Sequence, residues 1–128
     1  MRYLLDTHTF LWMAAEPAKL SAKITEIVQA SDNRLLLSSA SGWEIALLWH
    51  LKRVELPDLP QRFIPEALQK LSVIPVPIGF DAAISAATLP LVHRDPFDRI
   101  IIAEALKENV SVLTKDKTFA EYGTCTLW

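Results

Sequence analysis

Residues 3–15 read YLLDTHTFLWMAA, which places a short apolar run, an acid and a helical pattern directly after one another. The run Tyr3–Leu5 ends at Asp6, which is typical of a short buried strand. Thr9–Ala15 predicts a helix, because its apolar residues recur at helical spacing and Pro17 stands just beyond its end. The segment is therefore a strand followed by a helix, with one acidic side chain at the junction.

The same alternation continues through the rest of the chain. Further strands are predicted at Leu35–Ser38, Val73–Val76 and Ser111–Leu113. Further helices are predicted at about 21–30, 60–71, 81–89 and 96–109, and two more are predicted to begin at Ser41 and to lie near Phe119. Strands that alternate with helices favour an α/β fold, with a mainly parallel sheet covered by helices on both faces. Pro75 and Pro77 predict that the third strand lies at an edge, because proline cannot donate a hydrogen bond to a neighbouring strand.

The composition predicts one domain over residues 1–128. Hydrophobic residues make up 51% of the chain, only 3 residues are glycine, and no repeat or linker stands out. The mean hydropathy of +0.22 is high for so short a chain, so part of the apolar content should face a partner protein or a second copy. Trp12 and Trp49, on the first and third predicted helices, are candidate anchors for such a contact.

Charge and cysteine content narrow the class of protein. Lys and Arg number 13 against 15 Asp and Glu, whereas proteins that bind nucleic acid only through its backbone usually carry a basic excess. Cys125 is the only cysteine, so no intramolecular disulfide can form, in keeping with a reducing cytoplasm. No signal-peptide pattern and no membrane-spanning apolar stretch is present, so we expect a cytoplasmic protein with no membrane contact.

Four acidic residues are predicted to meet at one edge of the sheet. Asp6 and Asp116 follow strands, and Glu44 and Asp98 fall in the early turns of helices. Sites in open parallel sheets form at the carboxyl ends of the strands, so all four can lie there. Clustered carboxylates repel one another unless cations neutralise them, and Mg²⁺ accepts such oxygens together with water and phosphate. Two divalent ions about 4 Å apart would suit the in-line hydrolysis of a phosphodiester.

Each acid also has a purely structural interpretation. Asp6 suits a helix N-cap, and Asp116 suits a turn. Asp95, directly before a proline, predicts an N-cap, while Asp98 falls at the third helical position, where an acid stabilises the helix N-terminus. From spacing alone, Glu44 fits a solvated helix residue. We assign capping to Asp95 and metal binding to Asp98, and the spacing leaves open whether Asp95 assists the metal site.

Side chains beside the acids supply candidate contacts to a substrate. Thr7 and Thr114 could orient carboxylates or water, although ordinary turn and strand hydrogen bonds explain them equally well. Basic residues that flank the acids could bind phosphate groups or form salt bridges, and these are Arg94, Arg99, Lys115 and Lys117. The three histidines, among them His93, lack the spacing of a zinc set with the lone cysteine, so no structural zinc is predicted.

Four short motifs, taken in order, resemble one known family. They are LLDTH at 4–8, SGWEI at 41–45, RDPFDR at 94–99 followed by Ile102-Ala103, and LTKD at 113–116. Together they resemble the PIN-domain ribonucleases, and most of all the VapC toxins of bacterial and archaeal toxin–antitoxin pairs. The resemblance spans nearly the whole chain, and the total length fits as well.

The resemblance implies a PIN-like three-layer α/β/α sandwich. It implies an endoribonuclease that depends on Mg²⁺ or Mn²⁺, is inhibited by a cognate antitoxin and is commonly a homodimer. The catalytic and metal-binding residues that it implies are Asp6, Glu44, Asp98 and Asp116. Among the residues beside them, Arg99, Thr114 and Lys115 are the candidates for contact with the RNA substrate. The expected products carry 5′-phosphate and 3′-hydroxyl ends.

Three other functions would require particular residues at the same positions. A phosphatase of the HAD type needs Asp-x-Asp after its first strand, and the segment 6–9 reads DTHT. A phosphoacceptor receiver domain needs an acid at the end of its third strand, and that strand ends in Val76-Pro77. A PIN-like module that binds RNA or protein without cleaving remains an alternative, and titration with metal distinguishes it because such a module has no need of a cation.

Overall fold

Five parallel strands form the centre of the computed structural model, which describes residues 1–128. The strands are β1 (Arg2–Leu5), β2 (Arg34–Ser38), β3 (Val73–Val76), β4 (Ser111–Leu113) and β5 (Thr126–Leu127), and their order in the sheet is β3-β2-β1-β4-β5. The helices are α1 (Thr7–Ala15), α2 (Ala22–Gln29), α3 (Ser39–His50), α4 (Pro60–Lys70), α5 (Phe80–Thr88) and α6 (Pro96–Glu108), with short 3-10 helices at Pro17–Lys19 and Lys117–Tyr122. Every strand pair is parallel, so the predicted mainly parallel sheet is confirmed.

The sheet separates two hydrophobic cores, because successive side chains of each strand point to opposite faces. Tyr3 and Leu5 of β1 pack into one core, which also contains buried residues of α1 to α4. Leu4, between them, points to the opposite face and packs with α6 and with Phe119. This follows from the two-residue period of a strand, whose successive side chains face opposite sides of the sheet. The result is the predicted α/β/α sandwich.

Three single elements differ in how well the local sequence predicts them. The third strand lies at an edge of the sheet, as its prolines predict. The helix predicted to begin at Ser41 begins two residues earlier, at Ser39, because the Ser38 hydroxyl accepts a hydrogen bond from the backbone N–H of Ala40. The strand β5 was not predicted. Two residues are too few to show a period, and β5 is recognisable only by its pairing with β4.

The start of α6 is set by local sequence, as predicted. The Asp95 carboxylate accepts hydrogen bonds from the backbone N–H groups of Phe97 (2.9 Å) and Asp98 (3.4 Å), and Pro96 occupies the first helical position. The helix ends at Asn109, which adopts the left-handed conformation with φ of 52°. This cap places Asp98 in the first turn, facing the carboxyl edge of the sheet.

None of these helices combines the length and the apolar character that a membrane crossing requires.

Candidate active site

The carboxyl edge of β1 and β4 is where the acidic residues gather. The two strands are neighbours, and the backbone N–H of Asp6 donates to the carbonyl of Leu113 at the end of β4 (3.2 Å). A cavity of about 290 Å³ opens at this edge, and its lining includes Asp6, Asp98 and Asp116. Glu44 reaches the same cluster from α3, since its charge acts on the carboxyl of Asp98. The fold therefore brings together all four acids that the sequence analysis singled out.

Asp6 is held in a fixed orientation, and one of its two carboxylate oxygens has no hydrogen-bond partner. The side chain is only 6% exposed, and Oδ2 accepts a hydrogen bond from the Thr114 hydroxyl (2.8 Å). Oδ1 is buried and has no hydrogen-bond partner. Burial raises the pKa of this carboxyl above its ordinary value, and the bond from Thr114 opposes that shift only in part. A buried, unpartnered carboxylate oxygen is costly unless something binds it.

Glu44 is a buried residue, in contrast to the solvated residue that its spacing alone suggests. It is 8% exposed, and its Oε1 lies 2.7 Å from the hydroxyl of Thr7. The same hydroxyl lies 2.9 Å from Oγ of Ser41, one turn earlier on α3. Burial raises the pKa of Glu44, the bond from Thr7 lowers it, and the charges of Asp95 and Asp6 raise it further. Thr7 and Ser41 therefore orient the carboxyl of Glu44.

Asp98 has the most strongly shifted carboxyl of the cluster. Burial raises its pKa to about 8, together with the negative charges of neighbouring acids. These neighbours are, in order of effect, Asp6, Asp95, Glu44 and Asp116. Like charges this close disfavour ionisation, so without a cation the cluster retains a proton at neutral pH. Asp95 thus acts on the site electrostatically as well as capping α6.

Asp116 differs from the other three acids because its pKa is lowered. Burial alone would raise that pKa, but hydrogen bonds from Thr118 and His93 outweigh the effect. The backbone N–H of Thr118 donates to Oδ1 (2.9 Å), so Asp116 also caps the 3-10 helix that follows it. Asp116 therefore occupies the predicted turn and also lines the cavity beside the other acids.

His93 is a residue of the site that the sequence analysis did not identify. Its Nε2 lies 2.9 Å from Oδ2 of Asp98 and 3.1 Å from Oδ2 of Asp116. From the sequence, this histidine was tested only as a zinc ligand, and its spacing from the other histidines and the lone cysteine does not fit a zinc site. The only signal is its place directly before the motif at 94–99, and that signal does not reveal which way the ring points.

Arg99 does not line the cavity, in contrast to its predicted role as a substrate-binding residue. The side chain is 6% exposed, and its guanidinium donates hydrogen bonds to five backbone carbonyls. These belong to Ala86, Ala87, Leu89, Pro90 and His93, at 2.7 to 3.4 Å. With its donors engaged in this way, Arg99 has no free group for a phosphate. It caps the carboxyl end of α5 and fixes the loop that leads to α6.

The other two candidates for substrate contact differ from each other. Thr114 is buried, and its hydroxyl donates to Asp6 and accepts from the backbone N–H of Asp116 (3.0 Å). It therefore positions an acid, and its contact with a substrate stays a prediction. Lys115 is exposed and lines the cavity beside Asp6 and Asp98. Its ammonium group is placed where a phosphate could approach.

The aromatic residues near the site are arranged in two pairs. Trp12 lines the cavity and packs edge-on against Trp128, with ring centroids 5.6 Å apart. Trp43, next to Glu44 in sequence, is 61% exposed and packs edge-on against Phe97, with centroids 5.0 Å apart. Each ring is held in one orientation while part of it stays accessible to solvent.

The donor set fits a hard divalent cation. Four carboxyl groups converge, one buried oxygen of Asp6 lacks a partner, and burial with mutual repulsion raises the pKa of three of them. Mg²⁺ and Mn²⁺ prefer oxygen ligands of this kind. Residues that could hold such an ion are Asp6, Glu44, Asp98 and Asp116.

Comparison with known proteins gives consistent results at the level of sequence and of fold. A family model described as PIN domain matches residues 3–124. Ribonuclease VapC22 of Mycobacterium tuberculosis is 30% identical over 117 residues, which are 89% of this chain and 86% of that protein.

Three solved structures are similar in fold. VapBC2 from Rickettsia felis, bound to a DNA fragment from its promoter, matches with a TM-score of 0.72 at 15% identity, covering 99% of this chain and 98% of that one. FitAB bound to the IR36 DNA fragment matches at 0.66, with 18% identity over 98% of this chain and 93% of that one. FitAcB from Neisseria gonorrhoeae matches at 0.62, with 18% identity over 98% and 96%.

Proposed function

The chain belongs to the PIN domain family and is a homologue of ribonuclease VapC22, and from this premise we propose that it is an endoribonuclease that depends on Mg²⁺ or Mn²⁺. We further propose that it acts in the cytoplasm as the toxin of a toxin–antitoxin pair. The observation that carries the proposal is the cluster of acids at the carboxyl edge, with the unpartnered Oδ1 of Asp6 at its centre. A purely structural cluster of this kind would be destabilising, so a bound cation accounts for it best.

In the proposed mechanism, Asp6, Glu44 and Asp98 hold the cation, and Asp116 completes the acidic edge. A bound cation would supply Lewis-acid chemistry, which lowers the pKa of water and offsets the negative charge that develops on the phosphoryl oxygens. Thr114 orients Asp6, and Thr7 with Ser41 orients Glu44. Lys115 is the candidate contact for an RNA phosphate. In the hydrolysis, the oxygen of water bonds to phosphorus as the bond between phosphorus and the 3′ oxygen breaks. The 3′ oxygen takes up a proton, which leaves 5′-phosphate and 3′-hydroxyl ends.

An antitoxin partner is supported by the nature of the structural neighbours. The toxin–antitoxin complex VapBC2 shares the fold of this chain over nearly its whole length. The high mean hydropathy and the exposed aromatic residues near the site agree with a surface that a partner protein covers. We propose that a cognate antitoxin occupies the carboxyl edge and blocks access to the acids.

The proposal is tested by cleavage of a mixed set of structured and single-stranded RNAs with purified protein free of antitoxin. Reactions contain Mg²⁺, Mn²⁺ or EDTA, and Asp6→Asn is assayed beside wild type. Asp32→Asn, at an exposed surface position, is the matched control for the substitution itself. We expect cleavage that needs the metal, is lost in Asp6→Asn and survives in Asp32→Asn.

Two results would count against the proposal. Cleavage that persists in EDTA, or that Asp6→Asn retains in full, would remove the acids from the mechanism. Absence of cleavage on every RNA, together with absence of Mg²⁺ or Mn²⁺ binding by calorimetry, would favour a PIN-like module that binds without cutting.

A further inference from the structure

We propose that His93 is a positioning residue of this site: its Nε2–H holds the carboxylates of Asp98 and Asp116 together, and it does not itself ligate the cation. This inference rests on the function proposed above. The three residues would otherwise be taken for a metal-binding set, because one atom from each lies within 4.8 Å of the others. The hydrogen-bond partners of the imidazole decide between the two roles.

The ring of His93 bridges two acids that come from different elements. Asp98 belongs to the first turn of α6, and Asp116 follows β4. Nε2 lies 2.9 Å from Oδ2 of Asp98 and 3.1 Å from Oδ2 of Asp116, which are both hydrogen-bond distances. The side chains of His93 and Asp98 are 17% and 15% exposed. The contact between His93 and Asp98 is therefore largely shielded from water, which strengthens it, whereas the side chain of Asp116 is 37% exposed.

The other ring nitrogen determines where the hydrogen is. Nδ1 of His93 lies 3.2 Å from the backbone nitrogen of Asp95, whose N–H can only donate. Nδ1 must therefore be the acceptor, and in the neutral ring the hydrogen resides on Nε2. A histidine that ligates a metal through Nε2 normally donates Nδ1–H to a carbonyl or a carboxylate. If Nε2 of His93 ligated the cation, Nδ1 would carry the hydrogen, and two donors, Nδ1–H and the N–H of Asp95, would face each other. This repulsive contact argues against a ligand role.

The backbone of His93 is held as firmly as its ring. Its N–H donates to the hydroxyl of Tyr122 (2.6 Å), and its carbonyl accepts from the guanidinium of Arg99 (3.0 Å). The Tyr122 hydroxyl in turn donates to the carbonyl of Pro90 (2.6 Å), so the loop is fixed at two points. The ring also packs edge-on against Phe119, with centroids 6.1 Å apart. These contacts fix the position of the ring, so we expect His93 to keep the same role with and without a bound cation.

The bridge also separates the roles of the two acids. Both oxygens of Asp116 are engaged, Oδ1 by the N–H of Thr118 and Oδ2 by His93. The contact from His93 to Asp98 is at Oδ2, which leaves Oδ1 as the oxygen that can face a cation. We therefore expect Asp98 to be a direct ligand and Asp116 to act through water.

The experiment uses two measurements that need no RNA. Long-range ¹H–¹⁵N NMR of the wild-type protein at mildly alkaline pH reports which imidazole nitrogen carries hydrogen, without metal and with Mg²⁺. Calorimetry measures Mn²⁺ affinity for wild type, His93→Phe and His93→Gln. His50→Phe, at an exposed position at the end of α3, is the matched control.

We expect the His93 signals to show Nε2–H in both states. His93→Phe should bind Mn²⁺ about 10- to 100-fold more weakly, the range typical for a residue that orients a metal ligand. His93→Gln should recover part of the loss because its amide can donate to a carboxylate, and His50→Phe should bind as wild type does.

Two outcomes would overturn the inference. Loss of hydrogen from Nε2 with appearance of Nδ1–H on addition of metal would make His93 a ligand. Unchanged Mn²⁺ affinity in His93→Phe would make it irrelevant to the site. Because the NMR measurement uses wild-type protein, the test stands even if a variant fails to fold, and because neither measurement uses RNA, its result is separate from that of the cleavage assay.

Discussion

The carboxyl of Asp98 makes the stability of the protein depend on pH, because its pKa differs between the folded and the unfolded chain. Burial, followed by the charges of the neighbouring acids, raises its pKa to about 8. The folded state therefore keeps a proton that the unfolded chain releases near pH 4. Stability from this group is fully present below about pH 4 and is lost as the pH rises to about 8. A cation that binds Asp98 must displace the proton, so metal affinity should rise over the same interval.

The prediction at this scale concerns Asp98→Asn in EDTA. The amide carries no charge, so the variant should be more stable than wild type by about 1 to 3 kcal/mol at alkaline pH, and the difference should vanish near pH 4. The gain is smaller than the full pKa shift would suggest, because the side chain retains some contact with solvent. Urea unfolding across the pH range measures it. A variant that is less stable than wild type at alkaline pH would show that the carboxyl is stabilised by contacts and not strained by charge.

At the scale of elements, the junction of α5 and α6 is held by one side chain. Arg99 in the first turn of α6 donates to carbonyls at the end of α5 and in the loop, and the same loop carries His93. The carboxyl end of a helix leaves carbonyls without partners, and a buried guanidinium satisfies several of them at once. Arg99, which the sequence suggested as a contact for the substrate, therefore holds the loop that positions His93. We call these contacts of Arg99 the α5–α6 frame.

Arg99→Lys tests this frame. Lysine keeps the charge but has a single donor group in place of the planar fork, so it leaves several buried carbonyls unsatisfied. We expect a loss of about 2 to 4 kcal/mol in the free energy of unfolding, measured in urea. Arg94→Lys, at an exposed neighbouring position, should change stability little. Equal effects of the two substitutions would mean that the guanidinium contacts do not stabilise the junction.

The helix α3 gives a second prediction at this scale. Trp43 is 61% exposed beside Glu44, and Phe97 holds its ring edge-on. The chain has net charge −2, so phosphate contacts alone supply little affinity for RNA, and stacking of a base on this ring would add to it. Trp43→Ala should raise KM for single-stranded RNA about tenfold, in keeping with 1 to 3 kcal/mol per stacked base, and leave kcat nearly unchanged.

Trp49 provides the matched control for that experiment. It lies in the last turn of the same helix and lines a different surface cavity. Trp49→Ala should therefore leave KM unchanged, and Trp43→Phe should retain part of the wild-type affinity. An unchanged KM in Trp43→Ala, combined with weaker binding of a protein partner, would assign the ring to a protein interface.

At the scale of the whole molecule, an exposed apolar stripe lies on α5. Phe80 is 84% exposed and Ile84 is 56% exposed, and Ala83 and Ala87 lie in the same stripe. We expect a second copy of the chain to cover this stripe. Its two large residues alternate along the helix with its two small ones, so a two-fold antiparallel pair of helices can set large residues against small ones. No charged side chain interrupts the stripe.

The prediction is that Phe80→Glu combined with Ile84→Glu yields a monomer, while wild type is a dimer by light scattering after gel filtration. Two carboxylates per copy would be buried against each other in the dimer, which is strongly unfavourable. The thermal midpoint of each purified protein shows whether the monomer is still folded. A wild-type protein that is monomeric at all concentrations would contradict the assignment.

The local pattern of the sequence was enough to determine most elements and the set of acids. Alternation in β1 and β2, proline in β3 and the Asp95 cap are all properties of residues close together in the chain, so the fold class and the start of α6 could be predicted. The convergence of Asp6 and Asp116 also followed, because parallel strands end at a common edge. Glu44 was the exception, since only the resemblance to a family singled it out.

Tertiary structure alone decided where side chains with several possible partners point. Arg99 and Thr114 stand among the acids in sequence, yet one faces the end of α5 and the other faces Asp6. His93 reaches two acids only because the loop before α6 is fixed by Arg99 and Tyr122. The pairing of β5 with β4 has the same origin. Each of these contacts joins elements brought together by packing, and no local period in the chain encodes the direction of a single side chain.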